Sequence, residues 1–153
     1  MFRPRIYIDT SVIGGCFDEE FKEYSGQLFG EFTSGKETLV ISDVLLLELE
    51  GAPEEVKSAL NRVPDDNIEY VSLNEESMAL ASAYLEDGVV AESSLSDARH
   101  IAIATVERVD ILLSWNYKHI VNLNRIRLLN SVNLKLGYPA LEIRSPREVL
   151  YAR

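Results

Sequence analysis

The chain is short of the residues on which several classes of protein depend. One cysteine, Cys16, stands in 153 residues, so no internal disulfide can form, and a chain of this size needs none to build a core. A reducing, cytoplasmic compartment is the expectation, with Cys16 as a small packing residue rather than a reactive thiol. The two histidines, His100 and His119, lack the spacing of a zinc site, and His119 reads as an ordinary core or surface imidazole. There is no glycine-rich phosphate loop, dinucleotide fingerprint or serine–histidine nucleophile pattern. The opening MFRPRIYID meets Asp9 before an apolar run reaches secretory length, and no stretch is apolar enough to span a bilayer. Neither a leader nor a membrane partner is expected.

Basic residues are scarce as well: 15 Lys and Arg against 25 Asp and Glu give a net charge of −10, which weighs against a polyanionic partner. Their distribution weighs the other way. Residues 1–116 carry 8 basic and 23 acidic side chains, net −15, whereas residues 117–153 carry 7 basic and 2 acidic, net +5. The C-terminal quarter, which includes Arg125 and Arg127, is therefore a candidate surface for a polyanion; it reads equally well as a solvated face that lacks acids.

A hydrophobic content of 46%, with no repeat, low-complexity segment or linker, predicts one domain over residues 1–153 with a sizeable core. Its organising stretch is residues 94–122. Ala98, Ile101, Ala102, Thr105 and Val109 recur at helical spacing, Ser94 precedes Asp97 by three residues as in a capping box, and Ile111 to Leu113 form an apolar run that fits a buried strand. Strands are also expected at Arg5–Asp9, Leu39–Ser42, Ile68–Leu73 and Ala140–Arg144. Helices are expected at Glu19–Phe32, Val44–Glu50, Pro53–Asn61, from Asn74 as cap to Glu86 with Gly88 as stop, and at Leu123–Leu136 closed by Gly137. Five strands alternating with helices predict an α/β fold whose parallel sheet is covered on both faces.

In such sheets ligands bind beyond the carboxyl ends of the strands. Asp9 ends the first strand, Glu48 and Glu50 follow the second, Asp97 precedes the fourth, and Ser114 and Asn116 end it. Glu48, between Leu47 and Leu49, is expected to face inward and Glu50 to face water. Asp9 and Asp97 also read as helix-capping acids, and Asn116 as a cap for the segment at Tyr117. Oxygen ligands gathered at one sheet end suit Mg²⁺ or Mn²⁺, and the chemistry served by clustered carboxylates around such an ion is phosphodiester hydrolysis.

At four places the residues resemble the PIN-domain ribonucleases, among them the VapC-type toxins of bacterial and archaeal toxin–antitoxin pairs. The carrying motifs are IYIDTSVIG from Ile6, ISDVLLLELEGAP from Ile41, LSDARHIAIA from Leu95 and DILLSWNYKHIVN from Asp110, and together they cover essentially the whole chain. By position the first three acids of that family fall on Asp9, Glu48 and Asp97, and the hydroxyl beside the first acid on Thr10 or Ser11. The frequent fourth acid falls on Asn116, a departure: an amide holds a metal-bound water through its carbonyl oxygen but brings no charge. The resemblance implies a three-layer α/β/α sandwich around a five-stranded parallel sheet, cleavage of RNA with Mg²⁺ or Mn²⁺, homodimers, and inhibition by a cognate antitoxin. The expectation is thus a metal-dependent endoribonuclease, the toxin of a type II pair. Asp9, Glu48 and Asp97 would hold the ion, Asn116 would position water or a second ion, Thr10, Ser11 and Ser114 would assist, and Arg125 and Arg127 would contact the RNA backbone. Two further classes stay open: a PIN-like module that binds RNA or protein without cutting, and a metal-dependent phosphatase.

Overall fold

The structure, a computed structural model, describes residues 2–151; Met1, Ala152 and Arg153, the last of them one of the seven bases of the C-terminal quarter, lie outside the described residues. The expected strands form as β1 (Arg5–Ile8), β2 (Thr38–Ser42), β3 (Ile68–Val71), β4 (Ile111–Leu113) and β5 (Ile143–Arg144), in one parallel sheet of order β3-β2-β1-β4-β5. The side-chain period of two sorts each strand between two cores. Tyr7, Val40, Leu112 and Ile143 face one side, where they meet α5 (Glu75–Glu86), α6 (Leu95–Val106) and α7 (Leu123–Lys135). Ile6, Ile8, Leu39, Ile41 and Leu113 face the other, covered by α1 (Thr10–Gly15), α2 (Lys22–Ser34), α3 (Asp43–Leu49) and α4 (Glu54–Asn61). A last helix, α8 (Pro146–Tyr151), packs on α2. The result is the expected three-layer α/β/α sandwich.

The lower rim is fastened by Arg5. Its guanidinium donates to both carboxylate oxygens of Glu69 and to the carbonyl oxygens of Glu107 and Arg108, while its backbone N–H donates to Asp110. This ties β1 across β2 to β3 on one side and to the turn that precedes β4 on the other, at the end away from the site.

Local signals held where a side chain had only its own backbone to serve. Asn74 caps α5 in a reciprocal box with Ser77, and Gly88, at φ 74°, takes the left-handed turn after it that a side chain would strain. Ser94 does not act as the expected cap. A 3₁₀ turn over Glu92–Ser94 leads into α6, and the Ser94 side chain makes no capping hydrogen bond, so Asp97 is not the acid of a capping box. Asp9 likewise precedes α1 without capping it. The helix α1 carries two glycines, and at Gly15 the reason is close approach: a Cβ there would lie 2.6 Å from Trp115 Nε1 and 2.5 Å from Ser25 Oγ. The indole N–H donates to Ser25 at 2.9 Å and its ring stacks on Phe21 with centroids 4.1 Å apart, so the residues after β4 are held against α1 and α2. Among the described residues no helix is long and apolar enough to cross a membrane.

Candidate active site

From β1 the chain winds first toward β2 and β3 and then returns to place β4 on the opposite side of β1, so the winding direction reverses between β1 and β4. In open parallel sheets such a switch opens a crevice at the carboxyl ends of the strands, and Asp9 stands in it. Its residue is 4% exposed; Ser11 Oγ donates to Oδ1 at 2.5 Å and Ser114 Oγ, from the end of β4, donates to Oδ2 at 2.6 Å. Both hydroxyls also accept backbone hydrogens, Ser11 from Trp115 and Ser114 from Asn116, each at 2.9 Å. Burial pushes the Asp9 carboxyl above its ordinary value, and the two hydroxyl bonds only soften the effect.

Glu48 reaches the same crevice from α3, 33% of its side chain exposed. Oε1 accepts from Thr10 Oγ1 at 2.7 Å and His100 Nε2 at 2.6 Å, and Oε2 accepts from Ser96 Oγ at 2.6 Å. Burial pushes this carboxyl up, but the bonds from His100, Ser96 and Thr10 together outweigh it and hold Glu48 down at about 2. Glu50 is exposed, as expected. Asp97, in the first turn of α6, is raised by burial and next by the charge of Asp9. Two carboxyls pushed up beside a third held ionised are what a cation would relieve.

Asn116 donates from Nδ2 to Asp97 Oδ2 at 3.3 Å, while its Oδ1 accepts the backbone N–H of His119 at 3.0 Å. A backbone N–H can only donate, so the amide oxygen is turned to His119 and the nitrogen to Asp97. The carbonyl expected to hold a water is thus engaged as a cap, and the amide instead steadies the third acid.

The donors present suit a hard divalent ion in kind: three carboxylates with Thr10, Ser11, Ser96 and Ser114 hydroxyls and no sulfur. Each oxygen of Asp9, and Oε2 of Glu48, accepts one hydrogen bond from these groups and so has a lone pair left. Among the described residues, however, no three His, Cys, Asp or Glu side chains converge closely enough to hold an ion as they stand, so uniting the acids on one cation takes side-chain movement. Two grooves flank them. One, about 480 Å³, runs past Ser11, Gly14, Phe21, Trp115 and Asn116; the other, about 660 Å³, past Leu47, Glu48, Leu95, Ser96 and Arg99.

The two arginines expected on the substrate lie on α7 and differ. Arg125 is half-buried and donates from Nη1 to the Val89 carbonyl oxygen at 2.5 Å, whereas Arg127 is exposed. Sequence reasoning passed over His100, Ser96 and Arg99. All three sit within three residues of Asp97, and His100 is one turn from it on α6, the spacing at which helical side chains share a face.

The sequence matches no protein-family profile and no curated protein. Solved structures do match the fold. The FitAcB structure from Neisseria gonorrhoeae aligns over 93% of this chain and 98% of that one, with a TM-score of 0.58 and 14% identity. The VapBC2 structure from Rickettsia felis, bound to a DNA fragment from its promoter, aligns over 92% and 98% at 0.55 and 14%. The VapC20 toxin of Mycobacterium tuberculosis, described as cleaving the sarcin-ricin loop, aligns over 89% and 98% at 0.53 and 12%. At identities this low the likeness establishes the fold alone.

Proposed function

We propose that this chain, which has the fold of the VapC-type PIN domains, is a divalent-metal-dependent endoribonuclease and the toxin of a toxin–antitoxin pair. The observation that carries the proposal is the placement of Asp9, Glu48 and Asp97, with their hydroxyl donors, around the crevice at the switch point between β1 and β4. In this reading the three acids hold Mg²⁺ or Mn²⁺. A bound ion activates the attacking water and neutralises charge developing on the phosphate. Ser11 and Ser114 fix Asp9 by donating to both its oxygens, Thr10 and Ser96 fix Glu48, and Asn116 fixes Asp97 through its amide hydrogen.

An RNA strand would cross the acids from one flanking groove to the other. Arg99 would meet its backbone in the larger groove beside Glu48 and Arg127 farther out on α7, which would give binding a dependence on salt. Leu46 and Leu47, exposed on α3 beside Glu48, support a protein partner at the rim of the site: the antitoxin, or a second copy in a homodimer.

One observation favours binding without cutting: the acids do not meet on a single point, and Asn116 brings no fourth charge. Structured and single-stranded RNAs and a phosphomonoester, incubated with Mn²⁺ or with EDTA, separate the readings. RNA fragments that appear only with the ion, and not with Asp97→Asn, are the expected result. Intact RNA in the presence of a protein shown to bind Mn²⁺ and RNA would reject the nuclease, and turnover of the phosphomonoester alone would make it a phosphatase.

A further inference from the structure

His100 is 2% exposed, and both its ring nitrogens are engaged. Nε2 lies 2.6 Å from Glu48 Oε1, and Nδ1 lies 2.5 Å from the hydroxyl of Tyr7, a β1 side chain at the centre of the sheet. The Tyr7 hydroxyl is in turn 2.7 Å from Ser42 Oγ at the end of β2, and Ser42 accepts the Leu45 N–H at the start of α3, the helix that carries Glu48. The chain of contacts therefore runs from α3 through two strands and α6 and back to α3.

Its direction follows from what each group can donate. An ionised carboxylate only accepts, so the hydrogen between His100 and Glu48 belongs to Nε2. Burial pushes the Tyr7 hydroxyl up, so it keeps its hydrogen and donates it to the Nδ1 lone pair. Ser42 then donates to Tyr7 Oη and accepts from Leu45, and every polar atom in the chain is satisfied. Run the other way, Ser42 would accept from both Leu45 and Tyr7, and its own hydrogen would have no acceptor within the chain.

We propose that His100, Tyr7 and Ser42 are positioning residues for Glu48: they fix the imidazole as the tautomer with hydrogen on Nε2, which occupies Glu48 Oε1 and leaves Oε2 to the cation. With Thr10 and His100 both donating, Oε1 has no lone pair to spare, whereas Oε2 serves Ser96 and keeps one. Glu48 thereby becomes a one-oxygen ligand in a set rotamer, although a third of its side chain meets solvent. The role rests on the metal-site reading, but the tautomer is a property of the protein alone.

The experiment has a metal-free arm and a metal arm. In the ¹⁵N-labelled full chain without metal, long-range ¹H–¹⁵N correlations should give His100 the pattern of an Nε2–H imidazole, and the Nδ1–H pattern would overturn the proposal. In His100→Gln the side-chain amide reaches the place of Nε2, whereas in His100→Asn it reaches only the place of Nδ1. Calorimetric titration should leave Mn²⁺ affinity near wild type in the Gln variant and weaken it by about 10–100-fold in the Asn variant, as loss of a ligand-orienting partner does. Equal losses in two variants that both melt cooperatively would reduce His100 to a packing residue and overturn it. Tyr7→Phe keeps the ring and removes the donor to Nδ1; the Glu48 bond still holds the hydrogen on Nε2, but the imidazole loses its second anchor and Mn²⁺ affinity should fall, and an unchanged affinity would remove Tyr7 and Ser42 from the device. A flat titration by wild type would instead overturn the metal site itself, while the metal-free spectrum still decides the tautomer.

Discussion

Asp9→Asn should stabilise the metal-free protein and abolish its response to metal. Asp9 is buried, its carboxyl is pushed up by that burial, and its charge pushes Asp97 up in turn. The substitution preserves shape. It keeps one hydroxyl bond on the amide oxygen and turns the amide nitrogen toward Ser11 or Ser114, whose oxygen already accepts a backbone hydrogen. Losing a charged hydrogen bond costs about 1.5–3 kcal/mol, while the desolvation cost of a buried ion, several kcal/mol, disappears. The balance is a gain of about 1–2 kcal/mol, the usual size when a function-bearing buried charge is removed. For a chain of this length that raises the thermal midpoint by roughly 2–8 °C. Wild type, by contrast, gains about 2.7 kcal/mol when Mn²⁺ is present at about one hundred times its dissociation constant, so the ion should reverse the order of stability. Scanning calorimetry of both proteins, with EDTA and with Mn²⁺, reads all four midpoints. A variant that melts below wild type in EDTA, or that gains as much from Mn²⁺, would refute both the strain assigned to Asp9 and its place among the ligands.

The pH dependence has a definite sign. Asp9 and Asp97 are raised, so their contribution to stability is fully present below the ordinary carboxylate range and is lost as pH rises through their folded values; Mn²⁺ affinity should rise, with proton release, across the same window. Glu48 runs oppositely, its contribution present above the ordinary range and lost as pH falls toward about 2. Calorimetry in two buffers of different ionisation heat counts the protons, and zero release would contradict the raised values. Gly15→Ala forces its new methyl against Trp115 Nε1 and Ser25 Oγ and should cost about 1–3 kcal/mol, with a shift in emission of the single tryptophan; unchanged emission and stability would deny the contact. Arg127→Ala should leave the midpoint alone and reduce the salt slope of RNA binding by about 1, whereas Arg125→Ala should lower the midpoint because its guanidinium serves Val89 O; identical behaviour of the two would remove the distinction.

The sheet was legible because each strand is an apolar run bounded by polar residues, and in a parallel sheet covered on both faces nothing competes with that pattern. The edge strands were read too long: β3 stops at Val71 rather than Leu73 and β5 begins at Ile143 rather than Ala140, since a strand with one neighbour pairs only where that neighbour extends. The short α1 was hidden by Gly14 and Gly15, both poor helix formers, and the presence of Gly15 answers to packing on Trp115, a residue about a hundred positions away. Asp9, Asp97 and Asn116 were visible as strand-end and helix-start residues, and Glu48 as an acid among leucines on a short helix. What they touch was not: no local pattern says that Tyr7, which reads as a core aromatic, presents its hydroxyl to His100, or that Asn116 turns its nitrogen rather than its oxygen toward the acids. Such facts belong to contacts between elements.

Of the five strands β1 comes earliest in the chain and ends in the middle of the sheet, yet Ser114, which holds one oxygen of Asp9, lies 105 residues further on. At ~5–20 residues per second a ribosome needs roughly 5–20 s to travel from one to the other. Once β2 is made, β1 has that strand on one side and, until β4 is made, an open edge on the other, and Asp9 lacks its bond from Ser114. The crevice proposed as the active site is thus incomplete until β4 is made. The hazard at that stage is the bare edge of β1, which invites pairing with other nascent chains. The pairing of β4 with β1 covers that edge and completes the crevice in a single event.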